Sequence, residues 1–142
     1  MGKFKGLAFG HQFESFCLVV RPQEKITNPE LSVSLAYALH KGLCRVLETE
    51  TSDIGVSGRA VTNRQSTNAD ENTEFVFFDK TPGGAGFVKE AKKSWNKIIA
   101  ETLQICSLCN CEKACYNCLK DYYNQSVHEL LNRLLVKDFL NN

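Results

Sequence analysis

The segment Cys106–Cys118 reads CSLCNCEKACYNC and places five cysteines within thirteen residues, in the pattern C-x2-C-x-C-x3-C-x2-C. Zinc prefers four soft ligands in a tetrahedron, and short spacings let one tight turn present two sulfurs to one ion. The pattern therefore predicts a zinc knot rather than an iron–sulfur cluster or a reactive thiol site. Spacing alone favours the two C-x2-C pairs, Cys106/Cys109 and Cys115/Cys118. The other set open to it is Cys109, Cys111, Cys115 and Cys118, with Cys106 left at the end of the preceding helix. No histidine lies within the knot, and four thiolates close the coordination shell, so the expected Zn2+ is structural. The knot has no long apolar core of its own, and metal binding is expected to supply its folding energy.

Just upstream, residues 86–105 predict one helix whose inner face carries Val88, Ala91, Trp95, Ile98 and Thr102. Lys89, Lys92, Lys93 and Lys97 recur at helical spacing on its other side. Before it stands the turn Asp79-Lys80-Thr81-Pro82-Gly83-Gly84-Ala85-Gly86, between the apolar strand 74–79 and the helix. The continuous apolar run of that strand suggests burial on both faces. The turn fits neither G-x4-G-K-[ST] nor G-x-G-x-x-G. Asp79, Pro82, Gly83, Gly84 and Gly86 are expected to shape it, with positive φ at the glycines and Asp79 capping its amides.

Downstream, Ser126-Val127-His128-Glu129 reads as a capping box that opens a helix to about Leu140, with Val127, Leu130, Leu131, Leu134 and Leu135 inward. Residues 3–9 and 13–20 read as strands. Asn28-Pro29-Glu30 starts a mostly buried helix that runs to about Leu47 and carries His40 as a core histidine. Residues 53–57 read as a short strand, and the polar stretch 58–73 as a long exposed, mobile loop. Cys17 and Cys44 lie in apolar segments and are expected in the core.

The chain has 142 residues, 43% of them hydrophobic and 23% charged, which suits one soluble domain. Residues 1–79 carry eight basic and ten acidic side chains, and residues 80–142 carry nine and six. That bias is weak evidence for nucleic acid by itself, since a zinc on four thiolates adds about −2 to the second part. No apolar run approaches the length of a membrane span. Met1–Phe9 lacks an export signal, so the expected compartment is the reducing cytoplasm, where clustered cysteines bind metal rather than pair.

The stretches FFDKTPGGAGFV, CNCEKACYNCL and NQSVHELLNR together resemble the zinc-binding (MZB) domain at the C-terminus of MrfA-type helicases, formerly a domain of unknown function. They are also similar to the corresponding region of DrmB proteins in the DISARM anti-phage system. SLAYALHKGLCRVLE and DIGV sit in the family's order, while Lys113 and Ala114 depart from its usual turn. The resemblance implies Cys109, Cys111, Cys115 and Cys118 as the metal ligands. Asn124, Gln125 and His128 lie just after the knot at a helix start, where His128 is a candidate to hydrogen-bond the thiolates or the glycine turn.

The expected fold is α+β: a small, mainly antiparallel sheet, about three helices and a C-terminal four-cysteine zinc knot. Residues 1–142 are expected to form one MZB-like domain, divided into a strand/helix part (1–79) and a part holding the glycine turn, helix, knot and last helix (80–142). The resemblance implies a non-catalytic accessory domain of a DNA helicase, or of a helicase-associated repair or defence system. Its partners would be DNA and a helicase motor, in the same parent chain or in a separate subunit. No Walker A or DEAD/DEAH box is present. Candidate phosphate contacts are Lys89, Lys92, Lys93, Lys97, Lys113 and Lys120. A protein-interaction scaffold and a hydrolase or nuclease using Asp79 are the other readings. The last lacks a compact acid/base cluster.

Overall fold

A computed structural model describes residues 4–12, 15–57, 74–80 and 86–141. The loop 58–73 and the turn residues Pro82, Gly83 and Gly84 lie outside the described residues. The elements are β1 (Phe4–Gln12), β2 (Ser15–Pro22), α1 (Pro29–Val46), a 3₁₀ turn (Thr51–Asp53), β3 (Ile54–Ser57) and β4 (Phe75–Asp79). Then come α2 (Phe87–Lys93), α3 (Trp95–Leu108), a 3₁₀ segment (Tyr122–Leu130) and α4 (Arg133–Asn141). The strands form one sheet in the order β1-β2-β4-β3, antiparallel throughout. The α+β, antiparallel expectation holds.

The register sets Leu18 opposite Phe77 and Val20 opposite Phe75. All four are fully buried, so this face of the sheet looks into the core. The other face is not closed in the same way. Val19, Val76 and Phe78 are only half-buried, so β4 is central in the sheet but not enclosed on both faces, contrary to the expectation from its apolar run. Alternation in β4 follows from helices packing on one side alone. Gly55 in β3 lies beneath Phe78, where a Cβ would meet that ring.

Helix α1 starts as its sequence dictates. The Asn28 side chain accepts from the Glu30 amide at 3.0 Å, and Pro29 occupies the first turn. It is the central helix, buried from Ser32 to Cys44 along most of its surface. It packs on α3 closely enough that a Cβ at Gly42 would run into the Thr102 hydroxyl and come within 3.2 Å of the Ile98 carbonyl. His40 is buried, and its Nε2 donates to the Ile54 carbonyl at 2.8 Å, tying α1 to β3.

Two helices differ from expectation. The segment 86–105 is not one helix: it breaks at Ser94 (φ −101°, ψ 17°) into α2 and α3. Helix α2 packs on the sheet and α3 packs on α1 and α4, so the chain turns to serve two partners. Val88, Ala91, Trp95, Ile98 and Thr102 are all buried as expected, with Phe4 edge-on to Trp95 at 5.6 Å. The last helix does not open at Ser126. Asp121 and Asn124 form the capping box instead, and it starts a 3₁₀ segment. Helix α4 begins only at Arg133, where the Asn132 side chain accepts from the Leu134 amide. That shift turns Leu134 to solvent, 42% exposed, and buries Arg133 and Val136. Among the described residues no helix is long and apolar enough to cross a membrane.

Candidate metal centre

Helix α3 delivers the knot. Its last full turn carries Cys106 into the core, fully buried, and Cys109 leaves the helix in extended backbone (φ −77°, ψ 143°). A second turn is closed by the Cys118 amide on the Cys115 carbonyl (3.1 Å) and the Lys120 amide on the same oxygen (3.0 Å). The Cys115 amide points at the Cys118 sulfur at 3.3 Å. These turns gather Cys109, Cys111, Cys115 and Cys118, whose sulfurs all lie within 4.8 Å of one another.

Four of the sulfur–sulfur edges are 3.4 Å (Cys109–Cys111), 3.4 Å (Cys109–Cys115), 3.6 Å (Cys111–Cys118) and 3.9 Å (Cys115–Cys118). A zinc tetrahedron with Zn–S near 2.3 Å has edges of about 3.8 Å. The observed set therefore fits Zn2+ after small adjustments, and it is far too wide for disulfides. Cys106 is not part of this cluster, and neither is Cys17 nor Cys44. The thiols differ in acidity. The Cys111 amide and the Cys115 side chain pull Cys109 down to about 7. Burial pushes Cys118 and Cys106 up to about 12. Cys106, buried and outside the cluster, is a core thiol.

Three cations grip the backbone of the knot, and none was visible in its spacing. Buried Arg133 donates from Nη1 to the Cys106 carbonyl (2.9 Å), and from Nε (3.0 Å) and Nη2 (2.6 Å) to the Cys111 carbonyl. Its own amide donates to the Lys113 carbonyl at 2.7 Å. From α1, Lys41 Nζ reaches the carbonyls of Tyr116 (3.4 Å) and Lys120 (3.3 Å), and Arg45 Nη2 reaches that of Asn117 (3.3 Å). Burial lowers the Lys41 pKa, and Asp121 and the Cys118 and Cys115 sulfurs oppose that shift. An arginine within the leucine run of the last segment was the available signal for Arg133.

Asn124 and His128 support the knot's exit rather than its sulfurs. Asn124 is buried, accepts from the Asp121 amide (2.8 Å) and donates to the Leu119 carbonyl (2.9 Å). His128 Nε2 faces two acceptors, the Asp121 carbonyl (3.0 Å) and Asn124 Oδ1 (2.8 Å), so that nitrogen carries the proton. Gln125 is exposed. At the glycine turn, Asp79 is buried and its carboxyl meets the backbone amides of Gly86, Phe87 and Val88. Burial raises its pKa, and those amides oppose the rise. Gly86 has φ 82°, a left-handed backbone that opens α2.

The lysines divide into two groups. Lys89, Lys92, Lys93 and Lys97 are exposed on α2 and the start of α3. Lys113 is exposed and Lys120 half-buried, both at the knot. Twelve helical steps along α3 separate Lys97 from Cys109, about 18 Å at 1.5 Å per residue. The knot therefore stands at the far end of α3 from the lysine face.

The sequence model of the family described as the MrfA Zn-binding domain matches residues 35–119, more than half of the chain. Druantia protein DruE of Escherichia coli (strain UMEA 4076-1) is 25% identical over 150 residues, covering 94% of this chain and 8% of DruE. The crystal structure of the DUF1998 helicase MrfA bound to DNA matches with a TM-score of 0.59 at 18% identity, over 88% of this chain and 17% of that one. MrfA bound to DNA and AMPPNP matches with a TM-score of 0.59 at 12% identity, over 99% of this chain and 23% of that one. At these identities the two structures show likeness of fold. The chain spans less than a quarter of the length of each of these proteins.

Proposed function

This chain belongs to the MrfA Zn-binding domain family, and from that membership we propose that it is a single non-catalytic domain built on one structural Zn2+ held by Cys109, Cys111, Cys115 and Cys118. The observation that carries this is the mutual approach of those four sulfurs within 4.8 Å. Four thiolates leave no position for water, so the ion's work is mechanical. It fastens the end of α3 to the 115–118 turn. Through Arg133, Lys41 and Arg45 it makes α4 and α1 share that anchor.

The domain's partner is a cytoplasmic helicase motor, in the same parent chain or beside it, acting in DNA repair or phage defence. The MrfA helicase of similar fold is bound to DNA, and DruE is a Druantia protein. The DNA-facing surface is the lysine face of α2 and α3. Lys89, Lys92, Lys93 and Lys97 point to solvent because Val88, Ala91, Trp95 and Ile98 are buried on the opposite side. Such lysines contact phosphates as point charges with little sequence preference. Anisotropy titration of labelled DNA with wild type and K92E/K93E at two salt concentrations tests this. Wild type should bind more weakly as salt rises, and the variant should bind more weakly at both. Equal binding by the two proteins, at equal zinc content, would remove the lysine face from the account.

A further inference from the structure

Three tyrosines in and just after the knot stand in solvent: Tyr116, Tyr122 and Tyr123, 63%, 72% and 60% exposed. Large rings are seldom left so bare without a use. Beneath them the backbone is tied down. The Asp121 carboxylate accepts from the Tyr123 amide (3.0 Å) and from the Thr51 hydroxyl (2.8 Å), and Asn124 closes the reciprocal bond to the Asp121 amide (2.8 Å). Tyr116 lies edge-on to His128, ring centres 5.6 Å apart, and His128 itself bonds the Asp121 carbonyl. Tyr122 and Tyr123 meet edge to face at 5.3 Å. Rigid backbone under exposed rings is preorganisation, because little ordering remains to be done when a partner arrives.

The chemistry of the patch selects among partners. Exposed Lys80 holds its Nζ 5.2 Å from the centre of the Tyr123 ring, and Lys113 and Lys120 lie in the same knot. The carboxylate at its centre, Asp121, is already bonded to Thr51 and Tyr123. The exposed large apolar side chains between residues 115 and 130 are tyrosines, and the exposed aliphatics Leu108 and Leu134 lie outside that stretch. Planar rings flanked by lysines match unpaired bases on a phosphate backbone.

We propose that Tyr122 and Tyr123, with Lys80 over Tyr123, form a stacking platform for single-stranded nucleic acid. The proposal rests on the nucleic-acid reading above and adds a second surface to it, at the exit of the knot. Duplex DNA hides its base faces, so the platform recognises unpaired strands only.

The test is an anisotropy titration of labelled oligothymidylate and of a duplex of equal length. The proteins are wild type, Y122A/Y123A, Y122F/Y123F and K92E/K93E, each checked for zinc content and circular dichroism. Y122A/Y123A should bind the single strand about tenfold or more weakly and the duplex as wild type does. Y122F/Y123F, which keeps the rings, should bind both as wild type does. K92E/K93E should weaken both. If Y122A/Y123A binds oligothymidylate as tightly as wild type, or loses the duplex equally, the platform is refuted and the rings serve a protein partner. If in addition K92E/K93E still weakens binding, the lysine face survives that result. Photo-crosslinking of a 5-iodouracil oligonucleotide should label the peptide holding Tyr122 and Tyr123, and labelling confined to other peptides would overturn the proposal.

Discussion

Replacing Arg133 by leucine removes every donor that satisfies the carbonyls of Cys106 and Cys111 through this side chain. An orphaned buried carbonyl costs about 1–3 kcal/mol. Two of them, less about 1 kcal/mol regained by burying leucine, leave a loss of roughly 1–5 kcal/mol. In a domain of this size that lowers the melting temperature by about 10 °C. The charge matters separately. Arg133 is the buried cation beside a cluster that carries about −2 when zinc is bound, and it already favours the ionised form of Cys111 and Cys106. Zinc should therefore leave Arg133→Leu faster than wild type. Arg133→Lys keeps the charge but cannot span two carbonyls as the guanidinium does, so it should fall between them. Thermal melting and zinc release to a chromogenic chelator read the two effects. A leucine variant that melts within about 2 °C of wild type would refute the hydrogen-bond argument. Normal zinc release from a destabilised variant would refute the charge argument.

Other consequences follow from glycine and histidine positions. Gly86→Ala has open space for its Cβ but a left-handed φ of 82°, so urea unfolding should show a loss of about 1–2 kcal/mol from backbone strain alone. Gly42→Ala should cost about 1–3 kcal/mol by forcing α1 away from Thr102 and the Ile98 carbonyl, and a neutral result would mean the helices separate freely. Burial holds the His40 pKa below the ordinary 6.5. The unfolded chain then binds a proton that the fold refuses, so stability drops as pH falls through 6.5 and the drop levels off below the folded pKa. His40→Gln keeps a donor for Ile54 but loses this component. The stability gap between wild type and the variant should shrink from pH 7.5 to about 5.5 in urea titrations, acid loss of zinc being common to both.

Local signals were legible where local chemistry decides the outcome. Asn28-Pro29 marked the start of α1, apolar runs rich in aromatic and β-branched residues marked the strands, and cysteine spacing marked the knot. It left two ligand sets open. Cys106 is separated from the others only by the helix itself, which carries its side chain into the core. The break at Ser94 carries no glycine or proline to announce it. It arises because α2 and α3 pack on different partners. Ser126 and Glu129 have the spacing of a capping box, but Asp121 and Asn124 reach the backbone amides first. Arg133 was hidden for a similar reason. A buried arginine needs carbonyls turned inward, and only the folded knot turns those of Cys106 and Cys111 toward it.

The central claim is one Zn2+ on Cys109, Cys111, Cys115 and Cys118, and elemental analysis of purified protein tests it most directly. Wild type should carry one zinc per chain and no iron. Serine at any of these four positions should abolish zinc retention and unfold the second part of the chain, whereas Cys106→Ser should keep the metal. Zinc near zero in wild type, iron in its place, or a Cys106→Ser variant that loses zinc while Cys111→Ser retains it would contradict the account.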